Sequence, residues 1–283
     1  MASMGEMKRR RDSIESTRQI TKAMKLVATV KLQKARGRAE EGKPYAAFVY
    51  EVVQSIMAKS PKMDHPYLKE RKGGKYAAIV ITSNRGLAGG YNSNLVKLVT
   101  QRNLPGDQVR VYAIGKKGRD ALAGLGYEIA ADYSEVIQAP LYNDAMEIGA
   151  RILEEYKSGQ LRAIDLFYTS FKNTVSHIPA VIPLLPVKTA PGETEGKVRA
   201  LMSYEPDEET VLHAMIPKYT ASLIYGALLE SLASENGARM TAMDAAAGNA
   251  EEMLESLALL YNRARQGTIT RELTEIIAGA QAI

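Results

Sequence analysis

The sequence predicts an α/β protein in which the N- and C-terminal helices form a long antiparallel coiled coil with an α/β domain inserted between them. Residues 4–58 contain one proline and residues 218–283 contain none, so both stretches can continue as helices. At about 1.5 Å per residue, they would extend for roughly 80 and 100 Å. We expect three segments: the first helix at 1–60, the α/β domain at 61–200 and the last helix at 201–283.

Apolar residues in both terminal stretches recur at steps of three and four, the spacing of a coiled-coil seam. In the C-terminal stretch the predicted seam is Met243, Ala246, Ala250, Met253, Leu257, Leu260 and Ala264. In the N-terminal stretch it consists of Ile20, Met24 and Val27, followed by Tyr45, Val49, Val52 and Ile56. Because the helices lie at opposite ends of the chain, antiparallel pairing is the simplest closure.

The middle of the chain changes to short apolar runs separated by helical patterns. Strands are predicted at 76–82, 109–114 and 163–170, and helices at 91–100, 116–125 and 144–156. Strands that alternate with helices indicate a parallel, Rossmann-like sheet with crossover helices. Four prolines between 179 and 191 then interrupt the pattern, and 192–199 is predicted to be an exposed loop or hairpin.

Composition excludes several classes of protein and site. No apolar run approaches the ~20 residues of a membrane-spanning helix. The absence of cysteine excludes disulfides, thiolate metal sites and a cysteine nucleophile. The N-terminus has basic residues without the apolar segment of a secretory signal, so we expect a bacterial cytoplasmic protein.

The net charge of +5 is concentrated at the N-terminus. Residues 1–43 contain twelve Lys or Arg and five acidic residues, a charge of +7, and the remainder of the chain carries −2. A basic helix can attract nucleic acid, anionic lipid or an acidic protein surface, and it can also be an ordinary solvated face. Tyr45 is the first aromatic residue, so no stacking platform for bases lies among these charges.

A glycine-rich segment at 83–92 follows the first predicted strand and leads into a helix, a place where α/β folds often bind phosphate. The segment lacks both G-x-G-x-x-G and G-K-[ST], which favours a tight turn over a nucleotide site. His65, His177 and His213 have no metal-ligand spacing, and no nucleophile has a recognisable base. A dinucleotide-binding enzyme and a basic coiled-coil nucleic-acid-binding protein remain as alternatives.

Five segments resemble the gamma subunit of bacterial F-type ATP synthases. They are ITKAM at 20–24, RGLAGG at 85–90, YEPD at 204–207, YNRARQ at 261–266 and ITRELTEIIAGA at 269–280. The resemblance therefore covers both ends and the middle of the chain. It implies a central rotor shaft that couples proton-driven rotation to the conformational cycle of the catalytic beta subunits.

The same resemblance implies the partners and the location. The coiled coil would lie inside a ring of alpha and beta subunits, and the α/β domain near the epsilon subunit and the membrane ring of c subunits (the c-ring). The chain would be non-catalytic, with no cofactor, no metal, no directly bound nucleotide and no nucleic acid. We expect it at the cell membrane, attached peripherally on the cytoplasmic side.

Seven contact residues are carried over from the family by motif. The contacts with beta are Met24, Lys25, Arg265, Gln266, Thr270 and Glu272, and the contact with the c-ring is Glu205. Met24 and Lys25 are expected to face an acidic lever on beta. The family often has cysteine where Ala88 stands, and its absence here argues against thiol control of rotation.

Overall fold

The computed structural model describes residues 4–60, 63–69, 71, 73–188 and 203–281. Two long helices are present, α1 (Met4–Lys59) and α5 (Glu208–Gln281). Both were predicted, and α5 begins before the proline-free stretch at 218–283, so that it contains Pro217 near its start. The loop or hairpin predicted at 192–199 lies outside the described residues.

The chain divides into two compact units. The helix-pair unit contains α1 up to Ala28 and α5 from Arg239 onward, and the α/β unit contains residues 29–238. Each long helix contributes to both units. The three-segment division of the sequence follows different boundaries and stays a prediction.

The α/β unit contains a five-stranded sheet. Its strands are β1 (Lys75–Ile81), β2 (Val109–Ile114), β3 (Glu128–Asp132), β4 (Leu161–Phe171) and β5 (His177–Leu185). Its three further helices are α2 (Tyr91–Thr100), α3 (Lys116–Gly124) and α4 (Tyr142–Lys157), with single 3-10 turns at Gly106–Gln108 and Val136–Gln138. The strand order is β3-β2-β1-β4-β5, parallel except for β5, which runs antiparallel to β4. The predicted α/β class and its three helices are confirmed.

Strands β3 and β5 were not predicted, and both lie at an edge of the sheet. Pro179 and Pro183, which suggested a break in the chain, lie inside β5. An edge strand tolerates proline because only one of its sides has to donate hydrogen bonds to a neighbour. Strand β3 is half-buried and lacks the apolar alternation that identifies a strand in a sequence.

Side chains of the central strands alternate between two hydrophobic clusters, one on each face of the sheet. On β1, Ile79 packs into one cluster and Val80 into the other, and both are at most 1% exposed. The first cluster also contains Val53 of α1 and Ile216 and Leu228 of α5, all fully buried. Within this unit the long helices are therefore part of the core, which stabilises them far more than helical propensity does.

In the helix-pair unit, ion pairs between the two helices mark an antiparallel register. Arg18 pairs with Glu251 at 2.9 Å and Lys25 with Asp244 at 2.7 Å, so seven residues forward on α1 match seven residues back on α5. In the same register Met4 lies opposite Arg265. Residues 266–281 of α5 therefore extend beyond the first described residue of α1.

The predicted seam is displaced in this unit. Ile20 and Val27 are each 57% exposed, and Met253 and Leu260 of α5 are also exposed. Met243 and Ala250 of the predicted seam are buried as expected, and the other buried positions are the small or polar residues Thr21, Ala28 and Ala247. Small residues let the two helix backbones approach closely and leave the larger apolar side chains on the outside.

The second run of the N-terminal seam lies in the α/β unit and was mostly predicted. Val49, Val52 and Ile56 are buried in the core cluster, as expected. Tyr45 was assigned to the same seam, but its side chain is 47% exposed. The tyrosine hydroxyl makes such a partly exposed position favourable.

Candidate functional site

Polar side chains of the glycine-rich turn after β1 are hydrogen-bonded to one another and to neighbouring loops. The backbone N–H of Ser83 donates to Asn92 Oδ1 at 3.0 Å, and Asn92 Nδ2 donates to Ser83 Oγ at 2.8 Å. Asn84 donates to the carbonyl of Ser134 at 2.6 Å and accepts from the N–H of Lys116 at 2.9 Å. These bonds connect the loops that follow β1, β2 and β3. The turn therefore organises the carboxyl edge of the sheet.

Helix α5 occupies the place where open α/β sheets usually bind ligands, the crevice at the strand-order reversal between β1 and β4. The hydroxyl of Tyr91 donates to the carbonyl of Ser231 at 3.2 Å, and Ser231 Oγ accepts from the N–H of Thr169 at 3.3 Å. Ser234 Oγ donates to the carbonyl of Thr169 at 3.1 Å, and both serines are fully buried. This packing gives no support to the dinucleotide-binding alternative.

We expect the purified chain to bind neither ATP nor NADH with a micromolar Kd. Helix α5 fills the crevice, and polar side chains of the glycine-rich turn are already hydrogen-bonded within the protein. Isothermal titration calorimetry of the full chain with each nucleotide measures this directly. The control is a chain with Gly89→Val and Gly90→Val. A micromolar Kd in the wild type that is lost in this variant would contradict the prediction.

Two of the three histidines come together although they are far apart in sequence. The rings of His65 and His213 lie 5.8 Å apart, and His65 Nδ1 accepts from the N–H of Tyr67 at 3.3 Å. Burial lowers the pKa of His65, and the nearby His213 lowers it further. Within the described ranges, no group of three potential ligands could hold a metal ion.

The residues expected to contact beta fall into two groups on the helix-pair unit. Met24 and Lys25 are half-buried on α1, and Lys25 is paired with Asp244. Arg265, Gln266, Thr270 and Glu272 are all exposed on α5. In the observed register Met24 lies opposite residue 245, which places the two groups roughly 30 Å apart along the helices. The structure does not bring them together into one site.

The Tyr-Glu-Pro-Asp segment leads into α5 in the α/β unit. Asp207 accepts hydrogen bonds from the N–H and the hydroxyl of Thr210, at 2.8 and 2.9 Å, and these bonds lower its pKa. Lys59 lies over the ring of Tyr204, 5.2 Å from its centroid. These residues hold the start of the helix, while Glu205 is exposed to solvent.

Sequence reasoning missed an apolar stripe near the end of α5. Ile269, Leu273, Ile276 and Ile277 are between 48% and 67% exposed, at the i, i+4, i+7 and i+8 spacing of one helical face. This periodicity was the signal that could have identified it. Clustered exposed apolar residues typically mark a protein contact.

No described helix contains a stretch long and apolar enough to cross a membrane.

Comparison with known proteins accounts for the whole chain. The ATP synthase family model matches residues 3–283. The chain is 57% identical to the ATP synthase gamma chain of Lachnoclostridium phytofermentans, with all of both chains covered, and 42% identical to that of Alkaliphilus metalliredigens, covering 99% of this chain and 98% of that one. A solved structure of the central stalk and c-ring of the Tetrahymena thermophila mitochondrial ATP synthase contains a similar chain, with a TM-score of 0.62, 26% identity, and coverage of 80% of this chain and 99% of that one. The chain belongs to the family of ATP synthase gamma chains.

Proposed function

We propose that this chain is the rotor shaft that couples rotation of the c-ring to the conformational cycle of the beta subunits, and that it is itself non-catalytic. The observation that carries the proposal is the helix-pair unit, which keeps small residues in its seam and exposes large apolar ones. In a free coiled coil this arrangement would leave large apolar side chains in water. In a shaft enclosed by other subunits, contact with those subunits would bury them. The location would be the cell membrane, peripherally on the cytoplasmic side.

Coupling follows from the shape of a helix pair. Two unequal helices have no threefold symmetry, so three equivalent surrounding subunits each meet a different face of the pair. A conformational equilibrium shifts only when a partner contacts its two states unequally. Rotation of such a shaft would therefore present each beta subunit with a sequence of different contacts, and so with different nucleotide affinities.

The contact residues are proposals of the same kind. Met24 with Lys25 would face the acidic lever of beta, and the exposed group from Arg265 to Glu272 would contact a loop of beta. Glu205 is proposed to contact the c-ring, and the epsilon subunit to bind the α/β unit. The exposure of Glu205 supports its assignment, because Asp207 and Tyr204 supply the local structural contacts.

Co-expression with alpha and beta subunits tests the function. We expect the three chains to purify as one particle whose ATPase activity exceeds that of alpha and beta without this chain. A chain that stays separate from alpha and beta, and instead purifies with nucleic acid that is displaced by salt, would favour the basic coiled-coil alternative.

Ending the chain at residue 275 should weaken coupling more than folding. The removed residues lie beyond the register of α1 and include the exposed Ile276 and Ile277, so few contacts within the chain are lost. Circular dichroism of the free chain should show a nearly unchanged melting temperature, whereas ATP synthesis by the assembled complex should fall. Thr274→Ala, an exposed change two residues before the first residue removed, is the control. Loss of the cooperative melt in the truncated chain would show that this end belongs to the folded core.

A further inference from the structure

The α/β unit contains a cavity of about 260 Å³ between α1 and α5. The start of α4 and the strands β4 and β5 complete its walls. Four tyrosines line it: Tyr45 of α1, Tyr142 of α4, Tyr168 of β4 and Tyr225 of α5. Glu230 of α5 lines it as well. None of these residues belongs to the proposed contacts with beta or the c-ring.

Three of the tyrosine rings form two edge-to-face pairs beside the cavity, with Tyr142 common to both pairs. Tyr45 and Tyr142 have centroids 6.0 Å apart and an interplanar angle of 84°, and Tyr142 and Tyr225 lie 5.7 Å apart at 81°. In an edge-to-face pair, one ring presents its electron-rich face and the other its edge. Rings arranged in this way form the walls of an aromatic cage, the usual receptor for quaternary ammonium groups.

Glu230 supplies a negative charge to the wall of the cavity. The side chain is half-buried, and within the part of the chain that the structure describes it makes no salt bridge. Its hydrogen bond from the N–H of Phe171 is long, at 3.4 Å. Burial raises the pKa of Tyr168, and the charge of Glu230 raises it further, so the carboxylate acts on the cage. A partly desolvated carboxylate of this kind is stabilised by a cation.

Two other polar groups line the cavity. Lys43 carries a positive charge, but its side chain is exposed on α1, where water screens the ammonium group. The hydroxyl of Ser222 is buried and makes no hydrogen bond of normal geometry with a described residue. Ser222 is therefore available to a polar group on a ligand.

We propose that this cavity binds a small organic cation of the quaternary ammonium class, held by the tyrosine faces and by an ion pair with Glu230. Aromatic rings alone would also admit a neutral apolar molecule of the same shape. The carboxylate adds a preference for positive charge. Because the cavity is lined by both long helices, binding would also stabilise the α/β unit by mass action.

The test compares choline with the neutral alcohol in which carbon replaces the choline nitrogen. Calorimetric titration of the full chain should show saturable choline binding, about tenfold tighter than that of the alcohol. Glu230→Gln should weaken choline binding about tenfold and leave the alcohol unaffected. The matched control is Glu147→Gln, which removes the same charge from an exposed position outside the cavity.

Three results would overturn the proposal: no detectable binding of choline, equal affinity for choline and the alcohol, or equal loss of affinity in the two variants. Circular dichroism melts of both variants check that a loss of affinity is not caused by unfolding. A rise in melting temperature with choline in the wild type and in Glu147→Gln, but not in Glu230→Gln, provides an independent supporting readout.

Discussion

Replacing Gly115 with alanine should unfold the α/β unit under conditions in which the wild-type chain is stable. Gly115 has φ +114°, a conformation that strains any residue with a Cβ. An added Cβ would lie 2.1 Å from the carbonyl oxygen of Thr82. That contact is with backbone, and Thr82 is held by its hydrogen bond to Ile114 at 2.7 Å. We expect a loss of about 3 kcal/mol or more from strain and overlap together.

Gly124→Ala is the control for this change. Gly124 is the last residue of α3, and an added Cβ there would meet nothing within 4 Å. Its effect should remain within about 1 kcal/mol of the wild type. Urea unfolding followed by circular dichroism and tyrosine fluorescence measures both variants. Similar midpoints for the two alanine variants would contradict the steric explanation.

Introducing lysine at Met24 should reduce proton pumping per ATP while leaving assembly intact. If Met24 faces an acidic lever on beta, the new ammonium group would form an ion pair in some rotary positions only. Asp244 is already paired with Lys25, so it is not free to absorb the added charge. A contact that differs between states by about 1.4 kcal/mol changes their populations tenfold, whereas an equal contact changes nothing.

ATP-driven acidification of vesicles that contain the whole complex, normalised to ATP hydrolysis, measures this effect. Met24→Leu changes shape slightly without adding charge and should pump normally. Neutralising the acidic partner on beta should restore pumping in the lysine variant. Unchanged pumping per ATP in Met24→Lys would place Met24 away from the lever, or make the contact equal in every state.

The long helices could be predicted from the sequence, but not which of their faces pair with each other. Apolar periodicity selected Ile20 and Val27, whereas Thr21 and Ala28 are buried. Both sets of positions repeat with the same period, so periodicity cannot distinguish a seam between two helices from a face exposed to other subunits. The prediction placed large apolar side chains in the seam, whereas in the proposed function these side chains contact the surrounding subunits.

Within the α/β unit, helices and strands could be predicted where the local sequence pattern alone determines the secondary structure. The strand β1 and the helix α2 follow directly from apolar runs and helical spacing. The closure of the crevice by Ser231 and Ser234 of α5 was not predictable, because Ser231 lies 140 positions from Tyr91 and Ser234 lies 65 positions from Thr169. The contact residues came from resemblance to a family alone. The tyrosine cage joins residues from four separate elements, and only the fold reveals it.

The small-residue seam also affects the lifetime of the chain before assembly. Alanine and threonine bury little apolar surface, so the pairing of the two helices releases less free energy than a leucine seam would. Local opening should therefore be easiest in the helix-pair unit, while the doubly covered sheet stays closed. A protease in the cell would cut an unassembled copy first in these helices. Enclosure by partner subunits would remove that vulnerability, so degradation would select against copies that have not yet found their complex.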